Sequence, residues 1–244
     1  MEGVRDLKGV LDDSAREVCE TLAGSELVAG FYLAGGTGLA LQLGHRRSLD
    51  LDFFQKGDSE KVSANQIAAE LGRLFGNARL RLDLRQIDQV SWRIMETRVS
   101  FIAYPFRLLY PLVKGASVSS ALSGIELADP REIAAMKAYA LGRRTTFRDY
   151  IDLYFLLRNG WSSLPELISN ADRKYILDGQ RLFSPKLFLE QLTYTEDIED
   201  KEAAFNLLRE IVTTEEVETY LRQQVSAFLG RQTGEEQQDG GEPG

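Results

Sequence analysis

Two aspartates, Asp50 and Asp52, stand one residue apart in the apolar segment SLDLDFF, residues 48–54. In an extended strand, residues two apart point to the same face, so the two carboxylates lie side by side. Like charges placed together in a partly buried setting repel each other and call for a cation. Magnesium, which prefers oxygen ligands, stabilises such a pair. The spacing predicts Asp50 and Asp52 as metal ligands; the alternative is a strand-edge pair that faces solvent.

A second candidate is the glycine turn Gly35-Gly36-Thr37, which follows the apolar stretch FYLA and opens the helical stretch TGLALQLG. Backbone N–H groups at a helix start, unhindered by side chains, can cradle a phosphate. An ordinary tight turn is the alternative. Because a carboxylate pair follows the turn at short range, the combination predicts a site for a nucleoside triphosphate and its magnesium ion.

The segment FRDYIDLYFLLR, residues 147–158, is apolar except at Arg148, Asp149, Asp152 and its final arginine. Helical spacings of three and four place the first three on one face. One interpretation is a solvent-exposed pair between Arg148 and Asp152, worth about 0.3–0.5 kcal/mol. The other is a polar face that looks into a catalytic cleft. Lys137 by itself resembles an ordinary solvated helix lysine.

The histidine and cysteine content limits the other chemistries. His45 is the only histidine and precedes the Asp50 strand, where a structural role and a nucleotide contact are both open. Cys19 is the only cysteine, which excludes an internal disulfide and a cysteine-rich zinc site. We expect it to be a small apolar helix residue. The two are far apart in sequence, so Ser-His-Asp and Cys-His catalysis have little support.

The periodicity predicts the elements that must position these residues. An amphipathic helix is expected over residues 4–28, then a strand at FYLA, a helix to Gly44, a strand at SLDLDFF and a helix over 61–76. Two alternating segments, ARLRLDLRQI and TRVSFIAY, predict strands that pair across a turn near Trp92. The order is β-α-β-α-β-β.

A helical half is expected to follow. Asp129 as N-cap, Pro130 at the first position and Glu132 three residues after the cap predict a helix start. A second helix is expected over Phe147–Arg158, and further helices to Leu229, broken at Gly160, Pro165, Gly179 and Pro185. The predicted domains are a sheet domain at 1–115, a helical domain at 116–230 that completes the active-site cleft, and a disordered acidic tail at 231–244.

Composition is that of a globular protein, with 244 residues, 43% hydrophobic and 27% charged. No secretory signal and no membrane-spanning stretch is recognisable, so we expect a soluble cytoplasmic protein without a membrane partner. The net charge of −8 is concentrated from Glu190 onward, where 14 acidic residues face 4 basic ones. Seven arginines and no lysine lie between Arg73 and Arg107, which leaves a phosphate-binding face open.

The pattern GGTGLALQLGHRRSLDLDFF, followed by AYPFRLLYP and GIELADPREIAAMKAYALGRRTTFRDYIDLYFLL, resembles the AbiEii/AbiGii toxin family. That family belongs to the nucleotidyltransferase superfamily of DNA polymerase beta. The resemblance implies an α+β fold, with a polymerase-beta-like mixed sheet, flanking helices and a helical C-terminal half. It also implies Mg2+-dependent transfer of a nucleoside monophosphate from an NTP to an acceptor hydroxyl, such as the 3′ end of tRNA.

The resemblance also assigns residues and a partner. Gly35, Gly36 and Thr37 would bind nucleotide, and Asp50 and Asp52 would bind metal. The family's lysine matches Lys137, and its R-D-x-x-D helix matches Arg148-Asp149-x-x-Asp152. Lys137 and Arg148 would bind nucleotide. Lys137 and Asp152 would join the two metal aspartates in catalysis, Asp152 by ordering Lys137 or by helping to deprotonate the acceptor hydroxyl. The protein would be the toxin of a toxin–antitoxin or abortive-infection system, with a winged-helix repressor as cognate antitoxin.

Two departures from the wider pattern stand out. Ser100, with Glu96 just before it, replaces a third carboxylate on a later strand, and Gly38 replaces an alanine, which should slightly weaken the helix start. Because of the first departure, the number of metal ions at the site, one or two, stays open. Two other functions remain open as well: nucleotidyl transfer to a small molecule such as an aminoglycoside or to a protein hydroxyl, and a non-catalytic nucleotide-binding module.

Overall fold

The computed structural model of the chain describes residues 7–141, 143–144 and 146–239. The helices are α1 Asp13–Ala23, α2 Gly35–Leu43, α3 Ala64–Phe75, α4 Pro130–Leu141, α5 Phe147–Arg158, α6 Leu164–Lys174, α7 Pro185–Thr193, α8 Lys201–Phe205 and α9 Thr214–Asp239. The strands are β1 Phe31–Leu33, β2 Asp50–Gln55, β3 Leu80–Arg85, β4 Gln89–Ile94, β5 Thr97–Ile102, β6 Val113–Lys114, β7 Glu126–Leu127, β8 Ile176–Leu177 and β9 Gln180–Arg181.

The chain forms two compact units. Unit 1 runs to Ile133 and also includes Leu207–Glu210, while unit 2 takes Ala134–Asn206 and the chain from Ile211 onward. The sequence placed a boundary at 115/116, whereas the structure divides the chain within α4. The predicted acidic tail, 231–244, begins inside α9, which ends at Asp239. Residues 240–244 lie outside the described residues, so the disorder of the tail stays a prediction.

Unit 1 is built on a seven-stranded mixed sheet in the order β3-β4-β5-β2-β1-β7-β6. The pairs β2–β5 and β1–β7 are parallel, and the other neighbours are antiparallel. One face carries the core, where buried strand residues such as Leu51 and Phe53 join Val18 of α1 and Ile67 of α3 in a single hydrophobic cluster. The predicted α+β fold with a mixed sheet and flanking helices is confirmed.

The predicted turn near Trp92 is wrong. Gln89–Ile94 form strand β4, which pairs antiparallel with β3 on one side and with β5 on the other. Val90 and Ile94 are fully buried and enter the core, whereas the intervening side chains include polar ones. The sheet is therefore a three-strand meander at this edge, and β5 turns back to run parallel to β2.

The predicted opening helix over 4–28 is also too long. Its described part consists of a short 3-10 turn at Leu7–Gly9, α1, and a second 3-10 turn at Glu26–Gly30. Asp12 caps α1 by accepting a hydrogen bond of 2.8 Å from the Ala15 N–H, and Gly24 follows its end. In the sequence, the helical spacing of apolar residues continues across these structural breaks, because all three pieces bury apolar residues in the same core.

Helix α4 begins at Pro130, as predicted. The fully buried Glu132 carboxylate accepts hydrogen bonds from the Leu109 N–H at 2.8 Å and the Tyr110 N–H at 3.2 Å. Asp129 accepts from the Arg131 N–H at 2.9 Å. Glu132 therefore fastens the irregular segment before β6 to the start of α4.

Unit 2 is helical, and α5 has the bounds that the sequence predicts. Ser163 and Glu166 form a capping box at the start of α6, and Ser184 caps α7 before Pro185. The break at Gly179 is a small hairpin of β8 and β9, with Asp178 and Gly179 at positive φ. Within the described part of the chain, no helix combines the length and apolar character needed to cross a membrane.

Candidate active site

Strand β2 places Asp50 and Asp52 on the sheet face opposite the core. Leu51 and Phe53 are fully buried, whereas the two aspartates between and beside them are half-buried. Their register partners on β5 are Arg98 for Asp50 and Ser100 for Asp52. The two carboxylates therefore lie side by side on one face, because alternate strand residues share a face.

The glycine turn comes directly against Asp52. Gly35 has φ +61°, a left-handed conformation that favours glycine, and a Cβ built there would lie 2.9 Å from Oδ2 of Asp52. The Ala34 N–H donates a 3.0 Å hydrogen bond to the Asp52 carbonyl oxygen. Gly35 is thus required both by the backbone conformation and by the close approach of the carboxylate.

The third residue of the turn, Thr37, connects α2 to the segment that leads into β2. Its hydroxyl is buried, lies 2.7 Å from the Ser48 hydroxyl, and contacts the Asp50 carbonyl oxygen. The Thr37 hydroxyl is thus already hydrogen-bonded inside the protein. A nucleotide at this turn would meet the backbone N–H of Thr37 rather than its hydroxyl. Gly44 closes α2 at φ 72°, as the sequence predicts.

Unit 2 brings three of the predicted polar residues together. Nζ of Lys137 on α4 lies 2.6 Å from Oδ1 of Asp149 and 2.6 Å from Oδ2 of Asp152, both on α5. The side chains are almost completely buried, with Lys137 4%, Asp149 1% and Asp152 0% exposed. A solvent-exposed pair between Arg148 and Asp152 is therefore wrong. The side chain of Arg148 is half-buried at the start of α5.

Arg144 completes this network from the surface. Its guanidinium holds Asp149 with two hydrogen bonds, 2.9 Å from Nε to Oδ2 and 3.1 Å from Nη2 to Oδ1, while its own side chain is 59% exposed. Burial acts to raise the pKa of Asp149, but the charges of Lys137 and Arg144 outweigh it and hold that pKa below its usual value. Asp149 is therefore an anion fixed between two cations.

Comparison with known proteins gives the chain its family. Residues 19–239 match the family described as nucleotidyl transferase AbiEii toxin, type IV TA system. The chain belongs to this family. It is also 30% identical over 220 residues to an uncharacterized protein of Aquifex aeolicus, a match that spans 90% of this chain and 98% of the relative.

Two solved structures share the fold of this AbiEii-family chain. A protein from H. pylori assigned as a nucleotidyltransferase superposes with a TM-score of 0.53 at 17% identity, covering 88% of this chain and 92% of that one. MenT4, a nucleotidyltransferase toxin from Mycobacterium tuberculosis, gives a TM-score of 0.52 at 16% identity, covering 88% and 84%. Family and fold together identify the chain as a nucleotidyltransferase.

The structure shows which residues of β5 lie beside the two aspartates, where the sequence analysis looked for a third carboxylate. Ser100 is the β5 neighbour of Asp52 and its hydroxyl lies 3.1 Å from that of Ser91 on β4. Glu96 is exposed in the turn before β5, and the residue that pairs with Asp50 is Arg98. Strand β5 therefore places a serine and an arginine, rather than an acid, beside the two aspartates.

The two aspartates fit a magnesium-type ion. Among the described residues no group of three or more His, Cys, Asp or Glu side chains could hold a metal. Magnesium, however, is commonly bound through one or two carboxylates and takes its other ligands from water and substrate phosphates. Asp50 and Asp52 would thus supply the carboxylate ligands, and water and phosphate oxygens the others.

Several residues around the site escaped the sequence analysis. Arg46 is 2% exposed and its guanidinium packs against Gly36, while Ser48 meets Thr37. The signal that could have found them is the alternation R-x-S-x-D-x-D at residues 46–52, in which Arg46, Ser48 and Asp52 contact the start of α2. Arg144 was not singled out by the sequence analysis either.

The structure also shows the positions of three other residues that the sequence singled out: His45, Cys19 and Gly38. His45 is 4% exposed in the turn before β2, where its carbonyl oxygen accepts a 3.0 Å hydrogen bond from the Arg209 N–H. Cys19 is fully buried on α1, as expected of a small apolar residue, and burial raises the pKa of its thiol to about 12. At Gly38, a Cβ would lie 2.9 Å from the Leu33 carbonyl oxygen, so this glycine lets α2 pack closely on β1.

Proposed function

We propose that the chain is a magnesium-dependent toxin that transfers a nucleoside monophosphate from an NTP to an acceptor hydroxyl, with the 3′ end of tRNA as the acceptor. The observation that carries this proposal is the contact between Gly35 and the Asp52 carboxylate. It joins the phosphate cradle and the carboxylate pair into one site, where the triphosphate and its cation would meet.

The proposed reaction is an in-line displacement. The acceptor hydroxyl oxygen forms a bond to the α-phosphorus, the bond from that phosphorus to the α,β-bridging oxygen breaks, and pyrophosphate leaves. The hydroxyl proton passes to a base or to water. Asp50 and Asp52 would hold Mg2+, which when bound neutralises charge on the transferring group and the leaving pyrophosphate. The N–H groups of the glycine turn would donate hydrogen bonds to the phosphates.

In unit 2 we propose the roles that the family resemblance gives. Lys137 would stabilise triphosphate charge and Arg148 would bind nucleotide. Asp152 would order Lys137, a role favoured over direct activation of the acceptor hydroxyl because its carboxylate is fully buried and contacts the Lys137 ammonium at 2.6 Å. Asp149 and Arg144 would add to the same positioning.

An RNA acceptor is supported by a row of arginines on the sheet face that carries Asp50. Arg98 is the neighbour of Asp50, Arg93 is the neighbour of Arg98, and Arg81 is the neighbour of Arg93 across three successive strands. Directly paired cross-strand residues share a face and lie about 5 Å apart. Asp83 neutralises only part of this charge, through contacts of 3.1 Å to Arg81 and 3.2 Å to Arg93.

The arginines therefore form a strip of positive charge that runs from the carboxylate pair to the edge strand β3. Such a strip suits the phosphates of a polynucleotide despite the acidic net charge of the whole chain. Family membership further implies an NTP substrate and an antitoxin; we propose a winged-helix repressor for the latter.

The decisive experiment incubates the protein with magnesium, each of four α-labelled NTPs and total tRNA, beside an Asp52→Asn variant, and resolves the products on a denaturing gel. We expect label on tRNA from one preferred nucleotide, loss of at least a hundredfold in the variant, and a steep decrease with rising salt, since phosphate contacts are screened. EDTA should abolish the label.

Three outcomes would contradict parts of the proposal. An Asp52→Asn variant with near-normal turnover would remove the carboxylate pair from catalysis. Label on a small molecule or a protein, with little sensitivity to salt, would replace tRNA as the acceptor. NTP binding without release of pyrophosphate on any acceptor would leave a non-catalytic nucleotide-binding module.

A further inference from the structure

A buried arginine, Arg46, lies directly on the glycine turn. Its side chain is 2% exposed, and a Cβ built at Gly36 would overlap Nη2 of Arg46 and lie 3.2 Å from its Cζ. Residue 36 must therefore be glycine as long as this guanidinium keeps its place. The close approach explains the second glycine of the turn, as the Asp52 carboxylate explains the first.

The electrostatics of this position are unusual for a cation. The N-terminus of a helix carries partial positive charge, so a cation beside it is unfavourable and an anion is favoured. A guanidinium stays charged even when buried. Arg46 therefore adds a permanent positive charge to the partial charge of the α2 N-terminus, and together they favour an anion at the glycine turn.

The backbone around Arg46 is fixed by a segment that returns from the C-terminal half of the sequence. Leu208 forms an isolated bridge with Arg46, the Arg47 N–H donates to the Leu207 carbonyl oxygen at 2.8 Å, and the Arg209 N–H donates to the His45 carbonyl oxygen at 3.0 Å. Nη1 of Arg46 also donates to the Arg47 carbonyl oxygen at 3.0 Å. The guanidinium is thus positioned before any ligand arrives.

We propose that Arg46 is a positioning residue for the nucleotide: it holds the Gly35-Gly36 turn in the shape that receives the triphosphate and adds a permanent positive charge behind it. This inference rests on the proposed function and deepens it. Arg46 acts through the turn rather than by touching the reacting atoms. Its neighbour Arg47 has an exposed side chain and provides the matched control.

The test measures binding of the α,β-methylene analogues of the four NTPs by calorimetry with saturating magnesium. These analogues cannot release pyrophosphate, so affinity is measured apart from turnover. We expect Arg46→Gln to weaken binding of the preferred analogue at least tenfold and Arg47→Gln to change it less than twofold. Arg46→Lys, which keeps the charge but loses the planar fork, should recover part of the loss. In transfer assays the KM for NTP should rise more than kcat falls.

A second variant keeps the test decisive if Arg46→Gln does not fold. Gly36→Ala retains every charge but places a methyl group against the guanidinium, so it should also weaken binding. In a folded double variant with Arg46→Gln the two effects should not add, because they break one contact.

Two results would overturn the inference in distinguishable ways. Folded Arg46→Gln or Gly36→Ala protein that binds the analogue within twofold of wild type would show that Arg46 is only structural. Wild-type protein that binds none of the analogues would overturn the proposed function and the role of Arg46 together.

Discussion

The two units each contain a pair of aspartates, and the two pairs lie in different surroundings. In unit 1, Asp50 and Asp52 lie side by side, half-buried, next to a turn without side chains. In unit 2, Asp149 and Asp152 are fully buried and enclose the Lys137 ammonium at 2.6 Å each. In unit 2 the carboxylates and the ammonium compensate each other inside the protein, whereas the carboxylate pair of unit 1 lies on a half-buried strand face beside the glycine turn. Carboxylates of the same type thus form a buried ion-pair network in one unit and occupy a half-buried face in the other.

The largest effect that this comparison predicts is on stability. Asp149→Asn leaves Lys137 and Arg144 with less compensation in a buried place, and breaking such a network costs about 3–5 kcal/mol. Chemical denaturation at pH 7 measures the loss. Arg144→Gln is the control, because its exposed guanidinium should contribute at most about 1 kcal/mol. A loss below 1 kcal/mol in Asp149→Asn would contradict the buried network.

The same variant has a defined dependence on pH. The pKa of Asp149 is held below its unfolded value by the cations, so its contribution is present above that unfolded value, about 4, and is lost as pH falls through the folded value. The stability gap between wild type and Asp149→Asn should therefore be constant near neutrality and narrow below about pH 4. A gap that widened on acidification would have the wrong sign.

A smaller effect distinguishes two helical glycines, one in each unit. Helix propensity alone predicts that Gly→Ala gains up to about 1 kcal/mol. Gly230 on α9 has no atom within 4 Å of a built Cβ, so Gly230→Ala should show this gain. At Gly38 the Cβ would meet the Leu33 carbonyl oxygen at 2.9 Å, so Gly38→Ala should lose stability instead. Denaturation curves that shift in the same direction for both would contradict the close packing of α2.

The sequence predicts best those parts of the site that local chemistry determines. The glycine turn, the Asp50–Asp52 spacing and the bounds of α5 all follow from residues close together in the chain. Strand β4 was missed because its polar face resembles a turn, and only pairing with β3 and β5 on both sides makes it a strand.

Contacts between distant residues could not be predicted in the same way. The family resemblance suggested that Asp152 orders Lys137, but the contact of Lys137 with Asp149 and the burial of all three groups require two helices to pack together, and a helical pattern does not show this. Arg46 was hidden for a related reason, since its place depends on residues 207–210 holding the turn from far along the chain. The sequence showed Glu132 only as part of a helix start, and its hydrogen bonds to a segment more than twenty residues earlier were not visible there.

The measurement that tests the central claim most directly is thermal unfolding with and without magnesium and the α,β-methylene NTP analogues, for wild type, Asp52→Asn and the exposed control Asp58→Asn. A ligand at a hundred times its Kd stabilises by about 2.7 kcal/mol. Ligand should raise the Tm of wild type and of Asp58→Asn, whereas the ligand-induced rise in the Tm of Asp52→Asn should be small. An equal ligand-induced rise in the Tm of Asp52→Asn would show that the carboxylates of unit 1 do not bind a metal-bound nucleotide.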